Sequence, residues 1–101
     1  MDLTGKKALV SGASQGIGRA ICDRYLDAGA ELWGLDIKEG EDLKGRIDRA
    51  KGKLHWIIAD IGRIHEVEDI IERAIKESGG FDILVNNAGI TRDNLSFRMS
   101  I

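Results

Sequence analysis

The chain has 101 residues, a formal net charge of −2 at pH 7, 43% hydrophobic residues and 32% charged residues. That length bounds it to one small domain, and the balance of apolar and charged residues excludes a disordered chain and a basic nucleic-acid-binding surface. No apolar run approaches the roughly 20 residues that a membrane span needs; the N-terminus lacks the apolar stretch of a signal peptide, so a cytoplasmic setting is expected.

In chain order, Ala8-Leu9-Val10 is a strand-like run that stops at the glycine-rich segment Ser11 to Gly18. From Ile17, apolar residues recur at Ala20, Ile21, Tyr25 and Ala28, which is helical spacing, and Gly29 is a stop signal. Cys22, the only cysteine, lies within this pattern, and a buried inert thiol is expected. Leu32 to Leu35 predicts a second strand ending at Asp36.

Leu43, Ile47 and Ala50 mark a short amphipathic helix weakened by Gly45. Its basic residues Lys44, Arg46 and Arg49, continued by Lys51 and Lys53 and interspersed with Asp42 and Asp48, are expected to form a solvated face. Leu54 to Ala59 predicts a third strand ending at Asp60. Ile64, Val67, Ile70, Ile71, Ala74 and Ile75 give the cleanest helical stripe, closed by Gly79-Gly80. Phe81 to Val85 predicts a fourth strand ending at Asn86-Asn87.

Strands alternating with helices imply an α/β doubly wound parallel sheet. Right-handed crossovers then favour the strand order 3-2-1-4. No strand is predicted after the fourth, which would leave Ile83, Leu84 and Val85 on an unprotected edge. Residues 1–101 are therefore expected to be a truncated, N-terminal part of one larger domain.

Ser11-Gly12-Ala13-Ser14-Gln15-Gly16-Ile17-Gly18 lies where the first strand meets the first helix. Gly12 permits a tight turn, Gly16 lets a ligand approach the backbone, and Gly18 lets helix and strand pack closely. The helix start offers free amides and a positive dipole end to a pyrophosphate. The spacing is Gly-x-x-x-Gly-x-Gly, and no Gly-Lys-Ser/Thr follows, which excludes a Walker loop. A glycine turn without a ligand is the plain alternative, and the correct strand and helix on either side argue against it.

Asp36 stands 18 residues after Gly18. A nucleotide-binding fold of the Rossmann type expects an acid about 20 residues on, bonding the adenosine ribose. Its carboxylate would accept two hydroxyl hydrogen bonds and repel a 2′-phosphate, so NAD is expected over NADP. Gln15, where an arginine could have met a phosphate, points weakly the same way. Asp60 could accept from an adenine amino group or, alternatively, cap the third helix.

Asn86-Asn87-Ala88-Gly89 follows the fourth strand, across the switch point from the glycine loop. With Ser11 to Gly18 and Asp60, it resembles the short-chain dehydrogenase/reductase family from about Thr4 onward. Ser11 replaces the threonine that usually opens the family's first motif and keeps its hydroxyl. The resemblance implies that Ser14 and Ile17 contact the cofactor phosphates and that Asp60 and Ile61 flank the adenine. It implies too that Asn87, with the backbone of Ala88 and Gly89, lines the nicotinamide-side ribose, while Asn86 braces the strands. Residues 87–95, with Phe97-Arg98-Met99, are also similar to the 3-oxoacyl-[acyl-carrier-protein] reductases of fatty-acid synthesis. That subgroup usually takes NADPH, from which Asp36 departs.

The family's serine, its Tyr-x-x-x-Lys pair and its helix asparagine all lie beyond the Asn-Asn-Ala-Gly motif. Tyr25 is the only tyrosine here, has no lysine partner and fits the first helix's packing pattern. No catalytic residue is therefore assigned, and neither His55 nor His65 lies in a zinc-ligand pattern. Trp33 and Trp56 are expected to pack in the core. Three outcomes follow: part of an NAD(P)-dependent oxidoreductase acting on a 3-oxoacyl thioester or another ketone or secondary alcohol; a stand-alone NAD-binding module without turnover; or an oligomerising fragment. A homo-oligomer is expected, with no nucleic-acid or membrane partner.

Overall fold

A computed structural model describes residues 1–59 and 64–87. Seven elements follow one another: β1 Lys7–Ser11, α1 Gly16–Asp27, β2 Glu31–Asp36, α2 Leu43–Ala50, β3 Leu54–Ile58, α3 Ile64–Ser78 and β4 Ile83–Asn86. The strands form one parallel sheet in the order β3-β2-β1-β4. The chain thus winds outward from β1 to β3 and then crosses to the opposite side of β1, as expected. The step leaves a crevice at the carboxyl ends of β1 and β4, the place where open α/β sheets take ligands.

Alternate residues of the strands feed two cores, because strand side chains alternate between faces. Ala8, Val10, Leu32 and Leu54 pack under α1 and α2 with Cys22, Ile21, Tyr25 and Ile47. Leu9, Trp33 and Leu35 pack under α3 with Ile71 and Ala74. Both faces of β1 are therefore apolar, which is why it reads as a continuous run rather than an alternation. Burial pushes the Cys22 thiol up to about 11, against a smaller opposing pull from Arg46.

Two expectations are corrected. β4 begins at Ile83, not Phe81. Phe81 turns its ring edge-on to Trp33 at 5.3 Å, and the Asp82 carboxylate accepts the Lys7 amide at 2.9 Å, so these two residues form the entry to the strand. The basic stretch, moreover, is not wholly a solvated face: Arg46 is only 3% exposed. It stands three residues after Leu43 and four before Ala50, on the inward stripe of α2. Its guanidinium lies over the Trp56 ring at 5.4 Å and 3.8 Å from the Asp23 carboxylate, which together offset part of the cost of burying a charge.

Candidate functional site

The glycine loop turns between β1 and α1 at the sheet's crevice. Gly12 (φ +65°) and Gly16 (φ +60°) adopt left-handed conformations that a side chain would strain. Gly18 is helical, and its constraint is space. A Cβ on it would lie 2.0 Å from the Gly12 carbonyl oxygen and 2.8 Å from Asn87 Nδ2. The start of α1 thus packs directly against the turn that feeds it.

Gln15 occupies the cap position of α1 without a side-chain hydrogen bond to the helix, and the first turn carries no acid. The leading amides keep their positive end free of a side-chain anion, the arrangement that suits a phosphate. Ile17, 72% exposed, lies beside them. Ser14 is buried, and its hydroxyl has no hydrogen-bond partner among the described residues.

Asp36 meets this loop from the tip of β2. Its Oδ2 accepts the Ser14 amide at 3.0 Å, and Oδ1 accepts the Ile37 amide at 2.7 Å. Partial burial works against ionisation, but Ser14 and the Ile37 amide outweigh it and hold the carboxyl below its ordinary value. The Ser14 hydroxyl favours the anion from nearby without a hydrogen bond of ordinary geometry.

A cleft of about 590 Å³ opens here, lined by Ser14, Gln15, Gly16, Arg19, Lys38, Gly40 and Glu41. The connection from β2 to α2 forms its outer wall: Gly40 abuts the Ser14 backbone, and Arg19 Nη1 donates to the Glu41 carbonyl at 3.3 Å. Sequence reasoning missed Arg19 and Lys38 as lining residues. Their positions, directly after Gly18 and two residues after Asp36, were the available signal.

The crevice side is tied together by Ser11. Its hydroxyl accepts the Asn87 amide at 3.0 Å and lies 3.4 Å from the Val85 carbonyl and 3.3 Å from Asn86 Oδ1, so Asn86 does join the strand tips. Asn87 Nδ2 donates to the Gly12 carbonyl at 3.4 Å, placing Asn87 against the glycine loop. The candidates Asp60, Ile61, Ala88 and Gly89 lie outside the described residues.

The remaining candidates have structural surroundings. His55 pairs with Glu31 at 2.7 Å and stacks on Trp33 at 4.4 Å, and Tyr25 packs against the α1-side core. Among the described residues, no group of three or more His, Cys, Asp or Glu could hold a metal ion.

A model of the short chain dehydrogenase family matches residues 6–100. Over 104 aligned residues the chain is 40% identical to the 3-oxoacyl-[acyl-carrier-protein] reductase FabG of Chlamydia pneumoniae, a match covering 99% of this chain and 42% of that protein. The chain thus spans about two-fifths of that relative's length. Among solved structures, a Pseudomonas aeruginosa RhlG/NADP active-site complex superposes with a TM-score of 0.80 at 26% identity, over 97% of this chain and 46% of that one. Carveol dehydrogenase from Mycobacterium avium in complex with NAD gives 0.72 at 26% identity, over 96% and 43%.

Proposed function

The chain belongs to the short chain dehydrogenase family, and on that footing we propose that residues 1–101 are the N-terminal, dinucleotide-binding part of an oxidoreductase that reduces a 3-oxoacyl thioester. One observation carries the binding assignment: a helix start with no capping side chain and no first-turn acid lies beside Asp36, at the neighbouring strand tip, whose carboxylate accepts the Ser14 amide at 3.0 Å.

Gly12, Ser14, Gln15, Gly16, Ile17 and Gly18 would hold the two phosphates, and Asp36 the adenosine ribose. Asp60 and Ile61 would flank the adenine, and Asn87, Ala88 and Gly89 the nicotinamide-side ribose. The bound dinucleotide supplies the hydride. This chain's part is to fix the phosphates and sugars, so that the carrier is presented in one orientation.

Asp36 favours NAD, since an anionic carboxylate repels a 2′-phosphate. A second reading, use of NADP, draws on Arg19 and Lys38, two cations lining the same cleft. The thioester substrate rests on the similarity to the FabG reductase and on residues 87–95. The same proposal includes a homo-oligomer in the cytoplasm; among the described residues, no helix is long and apolar enough to cross a membrane.

The only tyrosine, Tyr25, has Gly29 four residues later where the family's pair needs lysine. By this reading the chain binds dinucleotide without turning it over. The test mixes the chain with NADH or, separately, NADPH and a 3-oxoacyl thioester, following binding by nicotinamide fluorescence and turnover by absorbance. Binding without oxidation is expected. Oxidation by this chain would defeat the claim of incompleteness, and a folded chain that binds neither dinucleotide would defeat the whole proposal.

A further inference from the structure

We infer that Arg46 is a positioning residue for the glycine loop, clamping the Ala13–Ser14 peptide together with Asp36; the inference rests on the dinucleotide-binding role proposed above. The two residues grip opposite ends of one peptide group. The Ser14 N–H donates to Asp36 Oδ2 at 3.0 Å, while the Ala13 carbonyl faces both Arg46 Nη1 and Nη2 at 3.5 Å. The peptide dipole therefore lies between an anion at its N–H end and a cation at its carbonyl end. Turning the peptide would reverse both interactions, so the plane has one favoured orientation.

The surroundings argue against simple space-filling. Arg46 is buried, its Nε has no partner, and its nearest carboxylate, on Asp23, is 3.8 Å away. An incompletely paired buried cation is a poor source of stability, and an apolar side chain of similar length would fill the gap beneath α2 at less cost. What an apolar chain cannot do is hold the Ala13 carbonyl. Ala13 is itself fully buried, and its amide reaches the Leu35 carbonyl at 3.3 Å. Arg46 thus links α2 to the loop that would meet the phosphates, without touching a ligand itself.

The test compares the wild-type chain with Arg46→Met, which keeps the bulk, and Arg46→Lys, which keeps the charge but not the fork. In the ligand-free protein, amide NMR should show a shifted Ser14 resonance in Arg46→Met. Its hydrogen exchange should quicken about tenfold, while the Ile71 and Ala74 amides on the far side of the sheet stay unchanged. Titration with NAD should give a dissociation constant about tenfold weaker for Arg46→Met, with partial recovery in Arg46→Lys. An unchanged Ser14 amide, or unchanged affinity in a folded variant, overturns the inference. If Arg46→Met does not fold, Arg46→Lys carries the same two readouts at about threefold, and unchanged values there overturn it equally. A folded wild-type chain that binds no dinucleotide defeats the proposed function instead, and the Ser14 amide then decides the clamp on its own.

Discussion

Gly18, in the first turn of α1, faces the Gly12 carbonyl so closely that a Cβ would stand 2.0 Å from its oxygen. Neither partner can yield cheaply, because both are backbone. Gly18→Ala should therefore displace the glycine loop, cost about 1–3 kcal/mol of stability and weaken dinucleotide binding. Urea unfolding beside a cofactor titration checks this; a variant as stable as the parent, with unchanged affinity, contradicts the packing described.

Ser11 should be sensitive to loss of its oxygen. Its hydroxyl receives the Asn87 amide and lies against Val85 and Asn86 on the neighbouring strand. Ser11→Ala removes these contacts and should cost about 1–3 kcal/mol, while Ser11→Thr, which keeps the hydroxyl, should cost less. Chemical denaturation of the two variants side by side is the measurement, and equal losses would argue against the bridge.

Asp36 should set part of the acid limit of the fold. Its carboxyl is held below the ordinary value, so its folded-state stabilisation is complete above the unfolded value, about 3.9. It is lost as pH falls from there through the lower folded value. Asp36→Asn should consequently be less stable than the parent at neutral pH, with the gap closing below about pH 4. Denaturation curves across that window decide it; a gap that does not change with pH excludes the linkage.

Cys22 works in the opposite direction. Burial raises its thiol from 9.0 to about 11, so the stability tied to the neutral thiol is complete below pH 9.0 and is lost as pH rises toward 11. The stability advantage of the parent over Cys22→Ala should shrink across that range. At pH 8 the folded chain should react slowly with a thiol reagent and quickly once unfolded; fast labelling of the folded chain would show that the thiol is not buried as described.

How much of this was legible beforehand depended on whether a residue's partners are near it in sequence. Ala8-Leu9-Val10, Leu32 to Leu35 and the Ile64 to Ile75 stripe announce their elements because periodicity is local, and alternation then implies the order found. Gly12, Gly18 and Asp36 were legible because a short turn and the next strand tip fix their neighbourhood. Arg46 was misread because charge alone does not say which side of a helix faces a sheet, and here the inward stripe ends at the Ala13 carbonyl. The Ser11 bridge was hidden for a different reason, since its partners are more than 70 residues away and meet it only once β4 crosses to β1.

The central claim, an anion-ready loop with a sugar-binding acid beside it, is tested most directly by titrating NAD and NADP separately into the chain and into Asp36→Ala. Tighter binding of NAD by the parent is predicted, with the ratio of the two dissociation constants moving toward NADP by about tenfold in the variant. A ratio that the substitution leaves unchanged would contradict the account.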